Sequence, residues 1–380
     1  MPAATKESGD GSGYVTGWLA LSLVQGIAES PRFVVQERRT LMEKRGSPMK
    51  MRRRDFVRLA GCGVATLVVR PLGAQAPGQD ESAPAPRVVL TWGANGHGEG
   101  EFDIPIAVAV NQKQEILVTD FRQSNAEARS RVQRFDREGR FLGAFETDPM
   151  PGGLALDEEG LLYVSHMMKH KVAVYDPAGK LVREFGKQGT GPGEFDQPGG
   201  IAVARDGSLY IADQVNRRVQ RVSPKGEPIS AWGKYGVATG EFGGNSSPKG
   251  RGGGPHFLAF DSQDDLYTTE ASVGRVQKFK ADGTFLLAWG DNEVGPGHFG
   301  GHKYMPGPLA VAVDHKDQVW VSSTNHYIHQ FTPEGRFVCR VGGEGSESGQ
   351  FRLPHGLAFD DEHHLYVADA RNSRIQKLAV

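Results

Sequence analysis

Twelve histidines occur in the chain, all of them after residue 96. Two occupy the same place in a recurring phrase. Pro255-His256 precedes Phe257-Leu-Ala-Phe260, and Pro354-His355 precedes Gly356-Leu-Ala-Phe359. An imidazole at physiological pH is a metal ligand or a proton carrier, so a pair placed alike is the first chemistry to consider. Other chemistries have no signature. After residue 76 there is no G-x-S-x-G elbow, no phosphate loop and no dinucleotide fingerprint opening a helix, and lone glycine spacings carry no weight. No paired-carboxylate pattern stands out either, so no residue takes a catalytic role from motif alone.

The elements that must position those histidines are repeated ones. Glycine is in excess, 51 of 380 residues or about 13% against a usual ~7%, without a collagen period. Apolar alternating segments recur at Ile106–Val110, Gly153–Leu156, Gly200–Val203, Phe257–Phe260, Leu309–Val313 and Gly356–Phe359. Each leads into a turn such as Arg205-Asp206-Gly207, then a second strand such as Leu209–Ala212, a third such as Arg218–Arg221, and a fourth ending in Trp-Gly or Phe-Gly. Four short strands per ~40–50 residues is a β-propeller blade. Six units predict an all-β, six-bladed propeller over residues 87–380. The last unit stops after its third strand, Arg374–Leu378. The segment Arg87–Gly93 reads as a lone fourth strand that closes the ring and removes an open edge.

The repeat residues carry their own expectation. Asp120, Asp213, Glu270 and Asp369 follow second strands, and the same four units carry Arg131, Arg218, Arg275 and Arg374 before the third. The other two have His166 with Lys171 and Ser323 with Tyr327, losing both features together. An ion pair within each of four blades is expected. The rings of the Trp-Gly, Phe-Gly and G-x-F pairs are expected to pack between sheets. Gln123–Ser130 and Gly243–Gly254 break the period and are candidate binding loops or plain spacers.

The units resemble NHL repeats. Residues 349–378 show the pattern whole, G-Q-F-R-L-P-H-G-L-A-F-D through L-Y-V-A-D-A-R-N-S-R-I-Q-K-L, and residues 193–221 nearly so. The resemblance covers 87–380 and implies the fold; that architecture hosts binders, scaffolds and enzymes alike. The Pro-His-x-Leu-Ala phrase also resembles peptidyl-α-hydroxyglycine α-amidating lyase, in which histidines of alternating blades hold a catalytic zinc in the channel. The resemblance implies that His256 and His355 are two zinc ligands. The third would come from the second blade, where this chain has Pro151-Gly152, and the family's tyrosine has no counterpart in Asp213-Gln-Val-Asn216. His166 ends the second strand of blade 2 and offers a substitute, on the same face but one strand farther out, roughly 5 Å. Three imidazoles from blades 2, 4 and 6 would leave the fourth position of a tetrahedral zinc open. In the plainer reading the histidines are polar channel residues hydrogen-bonded to water.

The amino-terminal 86 residues read differently. Lys50 to Arg58, the apolar run Leu59–Val69 and Ala74-Gln75-Ala76 form a charged region, a short apolar region and a cleavage site. Arg53-Arg54-Asp55-Phe56-Val57 resembles a twin-arginine export signal. The expected organisation is a mis-assigned extension at 1–48, a twin-arginine signal peptide at 49–76, a flexible linker at 77–86 and the propeller at 87–380. Leu59-Ala60-Gly61-Cys62 matches a lipoprotein box, but most of the apolar run follows its cysteine, which favours an ordinary signal residue. Residues after 76 hold 32 basic and 39 acidic side chains, a net −7, which argues against nucleic acid. No stretch reaches 18 apolar residues, so no membrane span is expected.

Together these features point to an exported bacterial protein, periplasmic or extracellular. Its leading role is a non-catalytic module binding a protein, peptide or glycan partner on one face. A metal-dependent lyase or hydrolase of the amidating-lyase kind is the alternative. A lactonase-like enzyme using carboxylate-bound calcium is a third reading that lacks an acidic channel set.

Overall fold

The computed structural model describes residues 85–122, 130–243, 253–301 and 307–380. The export signal, Cys62, most of the linker and the centres of both period-breaking loops lie outside the described residues. The described chain forms six four-stranded antiparallel sheets, five of them meanders of consecutive strands, arranged as the six blades of a propeller. Innermost strands are Ile104–Val110, Pro151–Leu156, Pro198–Val203, Leu258–Phe260, Pro308–Val313 and Pro354–Phe359, for blades 1 to 6. Among the described residues no helix is long and apolar enough to cross a membrane.

Ring closure follows the sequence expectation. Strand Arg87–Trp92 pairs antiparallel with Arg374–Ala379 and completes blade 6. The chain end is thereby held by the chain start, and the ring presents no unpaired seam there.

Blades adhere through aromatic rings that sequence alternation sends to the seams. Trp92 of blade 6 lies 5.8 Å from Phe135 of blade 1, Trp232 of blade 3 lies 5.9 Å from Phe279 of blade 4, and Trp289 of blade 4 lies 5.7 Å from Phe331 of blade 5. The Trp-Gly glycine has a separate task. At Gly233 the backbone has φ +104° and a Cβ would come within 2.5 Å of the buried Phe242 ring. The strand exit must turn where a side chain would displace the ring of the next entry turn.

All four predicted ion pairs form. Arg131 reaches Asp120 at 3.0 Å, Arg218 reaches Asp213 at 2.8 Å, Arg275 reaches Glu270 at 2.6 Å and Arg374 reaches Asp369 at 2.8 Å. Each pair also grips the G-x-F turn ahead of its own blade. The same guanidinium groups donate to the carbonyls of Glu101, Glu194, Glu241 and Gln350. Buried Gln133, Gln220, Gln277 and Gln376 donate to those same carbonyls and accept from the Gly N–H of each turn. The repeat acids are thus committed to structure, tying loop to sheet with charge-assisted bonds.

Blades 2 and 5 solve the same problem otherwise. In blade 2, Lys171 pairs with Asp148 at 2.7 Å and Glu184 at 2.6 Å. In blade 5, Asn325 donates to the carbonyls of His298 and Gly300, and His329 stands where blades 1, 3, 4 and 6 have Gln.

Candidate functional site

The innermost strands of successive blades come close enough to touch. A Cβ at Gly200 would sit 2.6 Å from the Phe257 Cα, and the Gly200 N–H donates to the His256 carbonyl at 2.7 Å. The histidine pair stands at this constriction. His355 opens the innermost strand of blade 6. His256 sits two residues ahead of the shorter strand of blade 4, yet its N–H still bonds the Thr269 carbonyl at 2.8 Å.

From these two non-adjacent blades the rings converge. Their centres are 5.6 Å apart, with Phe257 packed edge-on 5.4 Å from His355. Two imidazoles on one tetrahedral zinc, at Zn–N of about 2.0–2.1 Å, place their ring centres roughly 5 Å apart. The observed 5.6 Å is close to that spacing.

Hydrogen bonding defines the donor atoms. His256 Nδ1 lies 3.1 Å from the Leu309 carbonyl, which can only accept. Nδ1 therefore carries the proton and Nε2 keeps a bare lone pair, the tautomer that metal-bound histidines adopt. The His355 ring is fully buried, and neither of its nitrogens makes a hydrogen bond of normal geometry, the Ile106 backbone being the hydrogen-bonding group beside it. Burial pushes His256 down to about 4, with the bond to Leu309 a partial offset. His355 falls to about 3 through burial and then the nearby His256, the Ile106 backbone offsetting little. Both are neutral at pH 7, so a metal would displace no proton.

His166 goes elsewhere. It pairs in register with Pro151 and Lys171 and is fully buried, its nitrogens making no hydrogen bond of normal geometry and lying beside the Asp148 backbone. Its charged neighbours are Asp148, Lys171 and Glu184, and burial lowers it to about 4. Position decides this direction: His166 occupies the place of the repeat acid, whose side chain runs outward along the blade to the third strand. Among the described residues, the clusters of three or more ligand-type side chains with donor atoms within 4.8 Å are Asp291/Glu293/His298 and Asp360/Glu362/His364. The structure thus brings two of the three candidate imidazoles together and leaves the third in blade 2.

Gln214 is a site residue that sequence reasoning did not single out. It is 8% exposed and its Nε2 has no partner. The amide lies over Gly199, whose Cβ would come within 2.2 Å of Nε2 and 2.8 Å of the His256 carbonyl. Glutamine in Asp213-Gln-Val-Asn216 was visible, but its direction depends on the bare glycine beneath it.

Two other buried-histidine effects yield a prediction. Burial lowers His166 to about 4 and His329 to about 3, against about 6.5 when unfolded. Between those values the folded chain binds fewer protons than the unfolded one. The stability they contribute is complete above pH 6.5 and is lost as pH falls, on the order of 2 kcal/mol each by pH 5. Replacing His329→Gln, the residue of four other blades, should flatten the fall in Tm between pH 7.5 and 5. An unchanged slope would show that His329 does not carry it.

Fold and repeat chemistry together define the class: an NHL-repeat six-bladed β-propeller. Residues 351–378 match the NHL repeat family, and residues 154–226 match a family described as a 6-bladed beta-propeller. Among curated proteins, the chain is similar to peptidyl-glycine alpha-amidating monooxygenase B of Xenopus laevis, 36% identical over 131 residues, covering 32% of this chain and 15% of that protein. It is also similar to a probable peptidyl-alpha-hydroxyglycine alpha-amidating lyase of Caenorhabditis elegans, 26% identical over 125 residues, covering 32% of this chain and 36% of that one. The chain thus matches well under half the length of these relatives. A solved Bacteroides thetaiotaomicron protein of unknown function shares the fold, with TM-score 0.58 and 18% identity over 78% of this chain and 76% of that one.

Proposed function

We propose that this protein is an exported peptide- or protein-binding propeller whose channel mouth holds a divalent metal, zinc by ligand chemistry, on His256 and His355. The convergence of those rings to 5.6 Å carries the reading. The fully buried His355 ring, whose nitrogens make no hydrogen bond of normal geometry, supports it, since buried polar atoms without partners are rare unless an ion or water meets them. The Nδ1 bond of His256 to Leu309 leaves its Nε2 lone pair as the second donor atom. Bound zinc would supply a Lewis-acid centre for a carbonyl or carboxylate oxygen of the partner. The buried Gln214 amide offers an N–H donor near the same mouth. A peptide ligand accords with the names of the relatives matched over a third of the chain.

Binding is favoured over turnover because the ligand set is short. Catalytic zinc ordinarily has three protein ligands, and blade 2 contributes Gly152 while His166 lies with Asp148 and Lys171. The lyase reading is favoured in turn by the local likeness to amidating enzymes.

Calorimetric titration of zinc into chelator-treated protein should find one saturable site per chain. The site should vanish in the His256→Ala/His355→Ala double variant. A wild-type chain that binds no zinc, or a variant that binds as well, removes the metal from the proposal. Incubation with an α-hydroxyglycine-extended peptide should give no amide product; chelator-sensitive turnover would replace the binder with the lyase.

Export is tested separately. Replacing Arg53 and Arg54 with Lys should retain the precursor in the cytoplasm, because the paired guanidinium groups distinguish this signal from an ordinary secretory one. Unchanged export would mean another route.

A further inference from the structure

Five blades carry an aromatic residue at the same place on the second strand: Tyr163, Tyr210, Tyr267, Trp320 and Tyr366. Blade 1 has Leu117 there. In blades 3, 4 and 6 the residue directly opposite on the third strand is a cation, and it caps the ring. Arg221 lies 5.6 Å from the Tyr210 centre, Lys278 lies 5.0 Å from Tyr267 and Lys377 lies 5.2 Å from Tyr366. Blade 1 keeps the cation, Arg134 opposite Leu117, and lacks the ring.

The surroundings of the missing ring are otherwise preserved. Tyr210 packs 4.9 Å from Phe260 of the next blade and 5.8 Å from Trp232 of its own fourth strand. The equivalent residues around Leu117 are Leu156 and Phe145. The Tyr210 hydroxyl donates to Ala281 O, in the turn between the last two strands of the next blade. The equivalent carbonyl for blade 1 is Pro177 O, and Arg134 Nη1 donates to it at 3.1 Å. Leu117, Arg134, Phe145, Leu156 and Pro177 line one open cleft of about 140 Å³, whose polar lining includes Lys113, Glu115, Glu159 and Asp176, with Glu115 4.0 Å from Arg134. A cavity of about 150 Å³ lined by aliphatic and aromatic side chains accepts benzene.

We propose that the seam between blades 1 and 2, on the face opposite the histidine pair, is a binding site for a phenol-type aromatic ring. The ring would lie on Leu117 and Leu156, beneath the Arg134 guanidinium, with its hydroxyl offered to the Pro177 carbonyl. Leu117 is 4% exposed, so the floor is already built and needs no folding upon binding. A cation over a ring face is attracted by the ring's quadrupole, and more strongly when desolvated. The ring can belong to a tyrosine of a partner or to a free phenol; the chemistry at the cleft is common to both. The cleft shares no residue with the histidine pair.

The test titrates p-cresol and N-acetyl-tyrosinamide into the full chain by calorimetry. Saturable binding is expected for the wild type and its loss in Leu117→Tyr, which supplies the repeat's own ring and should also raise Tm. Arg134→Gln should weaken binding several-fold, and it keeps the question answerable if the first variant folds poorly. Tighter binding of N-acetyl-tyrosinamide than of p-cresol would assign the site to a peptide-borne ring, and the reverse order to a free phenol. If neither probe binds, or if Leu117→Tyr binds them as well as the wild type, the site does not exist.

Discussion

A chain lacking residues 77–93 should lose its ring closure and much of its stability. The strand removed pairs through Arg87, Val88, Leu90, Thr91 and Trp92 with the third strand of blade 6. Trp92 also packs 6.1 Å from Tyr366 of blade 6 and 5.8 Å from Phe135 of blade 1, so it joins first blade to last. Trp92 is half-buried, so its loss costs less than the roughly 3–5 kcal/mol of a fully buried Trp, and each backbone hydrogen bond adds about 1 kcal/mol. For a domain of this size that is a fall in Tm of roughly 10 °C or more. The exposed edge of Arg374–Ala379 would also become a template for association. Thermal melts with light scattering read both effects, and a synthetic peptide spanning 85–93 should restore part of the loss. A truncated chain that melts within a degree or two of the whole one would mean that closure rests on the blade seams.

The second large effect concerns a repeat acid. Glu270 is fully buried and accepts from Arg275, from the Gln277 amide at 2.7 Å and from the Gly243 N–H at 2.9 Å. Burial pushes its carboxyl up and the Arg275 guanidinium pulls it back. Glu270→Ala would leave Arg275, itself 9% exposed, without its counter-charge, at about 3–5 kcal/mol. Glu270→Leu/Arg275→Met should cost markedly less than the sum of the single changes, because removing both members removes the uncompensated charge. The exposed Glu334–Arg336 pair is the control, where solvent screens the charges and little change in Tm is expected. Additive losses at Glu270 and Arg275 in a double-mutant cycle would show that the pair is not coupled. Blades 2 and 5, which lack this pair, show that a blade can be tied by other means.

What the sequence determined by itself was whatever repeats along the chain. Alternation of period two, glycine at turns and the recurring G-x-F and Trp-Gly pairs specify strands locally, so six blades were legible. The truncated last unit implied that Arg87–Trp92 closes the ring. The acid–arginine pairs were legible for the same reason: both partners lie within one hairpin, five to eleven residues apart, and register alone brings them together.

Features that depend on several blades at once were decided only by tertiary structure. His256 and His355 share a repeat position, but their approach across the axis depends on Phe257 and on the Leu309 carbonyl of a third blade. His166 stands at the correct end of its strand, yet its register sets it among Asp148, Lys171 and Glu184. Gln214 was an unremarked turn residue until the bare backbone of Gly199 gave its amide a place to lie. Leu117 in place of an aromatic residue was visible in the repeats. That the vacancy persists as a cleft depends on Arg134 taking the carbonyl on which the Tyr210 hydroxyl's counterpart would have rested. The backbone course follows from local pattern, whereas a side chain's direction is settled by which neighbouring blade offers it space or a hydrogen-bond partner.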